Sequence, residues 1–224
     1  MPGRWRLRLG GNLVLRAAPL YGWLRQKAQS GALGELYAFD GDYLYGRLEK
    51  ITAGWRGRRG RYSVMLGGAI HLADLMLWIT GQRPRRASAK GNHISTRANG
   101  FADDDFAAAT LEFDSGLVAR LSANFGCVQP HQHALRVFGT RGTFLYDDAG
   151  ARWHASRDPA ARAERIAEAP LPATKGELIP EFLDAVGGKL DYAERTRNLF
   201  DGVSICLACD RASASGRSEE IRYA

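Results

Sequence analysis

Between Arg85 and His154 the chain repeatedly alternates apolar and polar residues with a period of two, and several of these runs are joined by short turn-forming sequences. Arg86 to Thr96 alternates. Phe106–Phe113 and Leu117–Phe125 are joined by Asp114, Ser115 and Gly116, and His133–Phe138 runs through Gly139, Thr140, Arg141 and Gly142 into Thr143–Tyr146. A period of two sends successive side chains to opposite faces of a strand, and such short connections reverse the chain as hairpins. Consecutive hairpins build an antiparallel sheet, which needs cover on at least one face. Helical patterns on both sides of this stretch supply it. Pro19–Gly31 opens with a helix-starting proline, and the apolar residues from Ala69 onward end at Gly81 and Pro84. Residues 177–186 and 196–213 carry helical spacing as well. The expected fold is α+β: one domain over residues 1–224, with a large open, mainly antiparallel sheet and helices packed on one face.

The remaining segments fill in around this frame. Leu33–Arg47 is aromatic-rich and alternating, and reads as a long strand. Residues 4–9 alternate basic and apolar, and 219–223 reads as a last short strand. Residues 46–61 form a loop with four glycines, and 155–173, rich in Ala, Pro and charge, reads as a loop or short helix. The uncovered sheet face is expected to be apolar and aromatic, and so to pair copies of the chain as a homodimer or tetramer.

Charge narrows the partners. The chain has 31 basic and 24 acidic residues, a net +7, and 26 of the basic residues are arginine. They are scattered, apart from Arg56, Arg58, Arg59 and Arg61, and no finger, helix-turn-helix or aromatic-interleaved repeat gives them a docking geometry. A nucleic-acid partner is therefore not expected. No run of about 18 apolar residues reads as a membrane span. Three cysteines in 224 residues do not make a disulfide framework, which points to a reducing, cytoplasmic setting.

Three ordered segments carry a family resemblance. The first runs from Asn12 through Arg16 to Pro19 and on to Gly31, Gly34 and Glu35. The second is Gly54, Trp55 and Arg56, followed by Gly67, Gly68, His71, Asp74 and Trp78. The third is Phe138 to Thr143. In this order the chain, from about residue 10 to 223, resembles the C-terminal domain of the glucose-fructose oxidoreductase, inositol dehydrogenase and rhizopine-catabolism (Gfo/Idh/MocA) family. The resemblance implies a substrate-binding and oligomerisation domain of an NAD- or NADP-dependent sugar or polyol dehydrogenase, whose other domain is a Rossmann fold. The G-x-G-x-x-G fingerprint of such a domain is absent from this sequence. The family's Glu-Lys-Pro motif is absent too, since Glu49 and Lys50 are followed by Ile51. The chain is therefore expected to be inactive without a nucleotide-binding domain.

The resemblance also assigns residues. His71 becomes the acid–base group at the substrate hydroxyl, which suits an imidazole titrating near neutrality. The family places an aspartate one helical turn before this histidine, and here that position is Gly67. Asp74, three residues after His71, could buttress it across a turn or pack the helix. Trp55 and Arg56 match a loop beside the substrate pocket, where an indole suits sugar C–H surfaces and a guanidinium suits hydroxyls. Arg16 matches a family arginine and reads as a substrate contact or a structural ion pair. Tyr45 and Lys50 are pocket residues by proximity in sequence only. His131 and His133 share one face of a strand, where they could meet substrate or simply line the sheet; a metal role lacks further ligands at suitable spacing. Cys206 and Cys209 form a C-x-x-C in mid-helix, where burial rather than redox chemistry is expected. A second reading stays open: a non-catalytic, sheet-mediated dimeric module that binds a sugar or a protein partner.

Overall fold

A computed structural model describes residues 8–57 and 62–224. Residues 4–7 of the expected first strand, and Arg58, Arg59 and Arg61 of the arginine cluster, lie outside the described residues; residues 8–9 are not in a strand. The helices are α1 (Pro19–Gln29), α2 (Glu49–Thr52), α3 (Ile70–Thr80), α4 (Ile179–Val186) and α5 (Ala193–Ser215). The strands are β1 (Leu36–Leu44), β2 (Arg86–Asn92), β3 (Phe106–Glu112), β4 (Val118–Asn124), β5 (Gln132–Gly139), β6 (Thr143–Asp147), β7 (Gly150–His154), β8 (Glu164–Ile166) and β9 (Glu219–Glu220).

The nine strands among the described residues join one open sheet in the order β8-β7-β6-β5-β1-β4-β3-β2-β9. The hairpins β3–β4 and β5–β6 form where the turn sequences place them. β1 and β4 pair in parallel, and every other neighbouring pair is antiparallel. β8 lies inside the segment expected to be a loop or short helix. Its alternation spans only three residues, too few for a periodic pattern to register.

Three helices cover one face in a row. Trp23 of α1 packs against Phe144 and Trp153 of β6 and β7. α3 lies over β1, and α5 lies over β2 and β9 and against α3. Beneath α5 the sheet is paved with small residues, including Ala87, Ala107, Ala109, Ala119 and Ala123, which let a helix carrying the buried Cys206 and Cys209 settle close. These two thiols are raised by burial, Cys206 well above its ordinary range, and so stay protonated and apolar in behaviour.

The opposite face differs from expectation. Its centre is charged rather than apolar and aromatic. Asp40 on β1 lies between Arg120 of β4 and Arg136 of β5 in the ladder register. Arg120 pairs with Asp40 at 3.4 Å, and Arg136 donates to Asp42 at 2.8 Å. Ser122 donates a further hydrogen bond to Asp42 at 2.7 Å. Apolar side chains gather toward one end, where Tyr37 meets Phe138 at 6.2 Å and Val118 lies in the same row as Phe138. The sequence alternates in either case; which parity points to the helices decides whether Phe39, Gly41 and Tyr43 or Asp40 and Asp42 face water.

An ion pair ties the helical turn Val14–Ala17 to the central helix. Arg16 donates through Nε and Nη2 to the two carboxylate oxygens of Asp74, at 2.7 and 2.5 Å. Both side chains are at most 4% exposed. Burial pushes the Asp74 carboxyl up, and the Arg16 guanidinium opposes that shift. The indole of Trp78 sits against Arg16 at 5.6 Å and against Arg25 at 4.7 Å. Removing one partner of such a pair leaves the other charge buried and unmatched. Asp74→Ala is therefore expected to lower stability by about 3–5 kcal/mol in a urea denaturation series, far more than Asp40→Ala on the exposed face, where an ion pair contributes about 0–1 kcal/mol.

Candidate functional site

The parallel β1–β4 pair, flanked by antiparallel β5, brings the carboxyl ends of β1 and β4 to the same sheet edge as the start of β5. In the ladder, Tyr43 of β1 sits opposite Ala123 of β4 and His133 of β5. All three point toward the helices. Continuing past the strand ends on that side come Tyr45, Phe125 and His131. Their rings form a connected nest. Tyr43 meets His131 at 5.1 Å and His133 at 5.2 Å, both edge-on, and His131 meets His133 at 4.7 Å. Tyr45 stacks on Tyr43 at 5.6 Å and packs on Phe125 at 4.8 Å.

His71 enters this nest from above. Its helix is preceded by a π-helical turn, Met65–Ala69, which widens the backbone just before α3. Gly68 in that turn is a packing requirement, since a Cβ there would lie 2.5 Å from the Tyr43 ring. The missing side chain lets Tyr43 pass beneath the helix and lie nearly parallel to the His71 imidazole, with ring centres 5.9 Å apart and planes 14° apart. His71 is also 6.0 Å from His133. Three imidazoles and two phenol rings thus converge where three strand ends and one helix start meet.

Electrostatics keep the imidazoles neutral. Burial, followed by the neighbouring His131, lowers His71 to about 4. Burial, then His131 and His71, lowers His133 to about 3. His131 is also lowered, by burial and then by Arg47 and Lys175. Among the described residues no carboxylate opposes these shifts in any of the three. His71 Nδ1 and His131 Nε2 are buried without a hydrogen-bond partner among the described residues. Buried polar atoms are normally satisfied, so two ring nitrogens left without partners beside tyrosine rings single out this cluster. Neutral imidazoles can accept or donate a single hydrogen bond there, and the ring faces suit C–H surfaces.

The residues singled out in the sequence separate into three groups. His71, His131, His133 and Tyr45 come together. Arg56 reaches the edge of the nest indirectly: its Nε donates to the Tyr62 hydroxyl at 3.1 Å, while its guanidinium lies 4.6 Å from the Trp55 ring. Trp55 itself is 56% exposed on the loop. Arg16 and Asp74 are buried and bound to each other. Asp74 consequently does not buttress His71. Spacing along a helix names the neighbours available to a residue, and here the buried guanidinium is the stronger partner for the carboxylate. Asp105 accepts from the backbone and hydroxyl of Thr96, and Asp103 accepts from the Tyr62 backbone. Among the described residues no group of three or more His, Cys, Asp or Glu is arranged to hold a metal ion, and no helix is long and apolar enough to cross a membrane.

Three site residues had no functional signal of their own: Tyr43, Phe125 and Tyr62. Tyr43 and Tyr45 stand two apart on one strand, which is a face pattern, but nothing in the sequence pairs that face with His131 and His133. Tyr62 sits between strong patterns, in a loop.

Comparisons with known proteins agree with this architecture. The sequence model described as the GFO/IDH/MocA C-terminal domain matches residues 21–145. A comparison with curated protein sequences finds no match. Among solved structures, a myo-inositol 2-dehydrogenase from Lactobacillus plantarum superposes with a TM-score of 0.70 at 16% identity, covering 95% of this chain and 64% of that one. A scyllo-inositol dehydrogenase from Lactobacillus casei, with bound NAD(H) and scyllo-inositol, gives 0.67 at 15% identity, covering 93% and 63%. A levoglucosan dehydrogenase in complex with NADH and L-sorbose gives 0.71 at 15% identity, covering 95% and 65%. The chain thus spans slightly less than two-thirds of each of these structures, and identities this low establish a shared fold.

The lowered imidazoles have a consequence for stability. In the unfolded chain a histidine titrates near 6.5. As pH falls below that value the unfolded state takes up protons that folded His71 and His133 refuse until about 4 and about 3. Stability is therefore complete above pH 6.5 and declines as pH falls toward 4. Thermal melts should show Tm dropping between pH 7 and 5, and His133→Asn should flatten that drop by close to one proton's contribution.

Proposed function

We propose, from the premise that this chain belongs to the GFO/IDH/MocA family and carries its C-terminal domain, that it is the substrate-binding part of an NAD- or NADP-dependent dehydrogenase acting on a sugar or polyol. The observation that carries the reading is the nest at the sheet edge, where two imidazole nitrogens without partners lie beside the Tyr43 and Tyr45 rings. Oxidising a carbinol removes a proton from oxygen and a hydride from carbon. His71 accepts or returns the hydroxyl proton, with His131 and His133 holding neighbouring hydroxyls and Trp55 and Arg56 closing the loop side. The solved relatives named above, two with bound NAD(H) or NADH, lend support to this chemistry.

The described residues do not suit a dinucleotide. The sequence has no G-x-G-x-x-G. The one parallel strand pair, β1 with β4, is not followed by a glycine-rich turn into a helix N-terminus, as pyrophosphate binding needs. The hydride acceptor belongs to a nucleotide-binding domain, and these residues act on the sugar or polyol alone. His71 at about 4 is a weak base. The best proton acceptors titrate near the working pH, so His71 needs a nearby charge from outside the described residues to reach full strength.

That same weakness favours a second reading, a non-catalytic dimeric module that binds a sugar or a protein partner. Gly67 carries no acid, Asp74 is committed to Arg16, and the nest would serve recognition only. In either reading we infer a homodimer or tetramer formed through the open sheet face. The Asp40, Asp42, Arg120 and Arg136 ladder would lie in that contact and could exchange partners across a two-fold axis.

Titration with myo-inositol or levoglucosan, followed by NMR of the histidine ring protons, is expected to shift His71 and His131 with millimolar affinity; no shift with either compound removes the sugar or polyol reading. In the same buffer NADH and NADPH fluorescence should show no micromolar binding, and such binding would overturn the assignment of the cofactor to another domain. Light scattering at micromolar concentration is expected to give at least a dimer, which Arg120→Glu combined with Arg136→Glu should weaken; a monomer in the unaltered protein would refute the proposed pairing.

A further inference from the structure

Gly67 faces an unusual neighbour. A Cβ at this position would overlap the Tyr62 hydroxyl oxygen and lie 2.6 Å from the ring carbon that bears it. The phenol oxygen therefore occupies the space that any side chain at position 67 would need. Position 67 is one helical turn before His71. Residues 66, 67, 70 and 71 are all partly exposed, while 68, 69, 72 and 73 are buried, so one open helix face carries both positions. Side-chain origins one turn apart on a helix are about 6 Å from each other. A hydroxyl standing in the place of a Gly67 side chain is thus at that separation from the root of the His71 imidazole, a span that neighbouring hydroxyls of one sugar or polyol ring can bridge.

Several contacts hold Tyr62 there. Its backbone N–H donates to Asp103 Oδ2 at 2.6 Å. Its ring packs edge-on against Phe125 at 5.9 Å and Phe101 at 6.5 Å. Arg56 Nε donates to its oxygen at 3.1 Å. A phenol that accepts from a guanidinium keeps its own proton for donation, and among the described residues the bond from Arg56 is the hydrogen bond seen at this oxygen.

We propose that Tyr62 is a substrate-binding residue of the nest, donating its phenol proton to a ligand hydroxyl adjacent to the one His71 holds, with Arg56 as the group that orients it. The inference rests on the sugar or polyol reading above and adds a specificity determinant to it. A rigid donor, unlike a flexible lysine or an acceptor-only carboxylate, selects one hydroxyl by position. Gly67 is then required by the phenol: the ring's reach and the absent side chain are two halves of one arrangement.

The test is an NMR titration of the full chain with myo-inositol and a set of monodeoxy cyclitols, comparing wild type with Tyr62→Phe. The phenylalanine keeps the packing on Phe101 and Phe125 and removes only the hydroxyl. Myo-inositol should bind Tyr62→Phe about five- to tenfold more weakly, the loss of one hydrogen bond. For the one deoxy compound that lacks the partner hydroxyl, the two proteins should bind equally. A uniform loss across the whole set would mark a structural role and overturn the proposal, as would affinities within twofold throughout. Wild-type protein that binds neither these compounds nor levoglucosan would overturn the sugar or polyol reading itself, and this inference with it. Arg56→Gln provides an independent arm: it should weaken myo-inositol binding in the wild-type background and have no further effect in Tyr62→Phe, and additive losses would refute the orienting role.

Discussion

The parallel pairing of β1 with β4 is the constraint on which the rest depends. In an otherwise antiparallel sheet, one parallel neighbour means the chain must leave β1 at one edge and return to start β4 at the other. The connection that does this contains α3, the β2–β3 hairpin and the helical turn before them. It lays α3 directly over β1, and it aligns the ends of β1 and β4 with the beginning of β5. An antiparallel β1–β4 pair would send Phe125 to the far edge, away from Tyr43 and Tyr45. The Arg16–Asp74 pair then fixes the height of α3 against the helical turn Val14–Ala17, with both charges sealed from water and each satisfied by the other.

The chemistry of the nest follows from what burial does to an imidazole when no anion is near. Desolvation penalises the charged ring, so His71, His131 and His133 remain neutral together, which also lets three potential cations sit within ring-contact distance. A carboxylate beside His71 would reverse this by favouring the charged form. Its place is filled by a neutral phenol, and the one carboxylate on the same helix is spent on Arg16. The nest therefore presents neutral hydrogen-bonding groups and ring faces rather than charge. The outer face of the sheet uses opposite means. Its acids and arginines neutralise one another across strands at the centre of that face.

The pattern of hairpins was legible from the sequence because each turn is local: Asp114-Ser115-Gly116 and Gly139–Gly142 reverse the chain whatever surrounds them. The helix containing His71, its end at Gly81 and the burial of Cys206 and Cys209 were legible for the same reason, since periodicity and capping act within a few residues. His71, His131 and His133 could be singled out as chemistry-bearing side chains. Their convergence could not, because it depends on the β5–β1–β4 order, which joins segments about 90 residues apart.

By itself, then, the amino-acid sequence determined the class of fold, the hairpins, the helix faces and which side chains were capable of acid–base work. Only the tertiary structure decided which of them meet. It gave Asp74 to Arg16, turned Asp40 and Asp42 outward, and set the Tyr62 hydroxyl over Gly67. The physical reason is that alternation and helical spacing act over a few residues and leave the partner open. Partner choice is settled by packing between distant segments, where a buried charge takes the best counter-charge available and a missing side chain admits whichever ring can reach it.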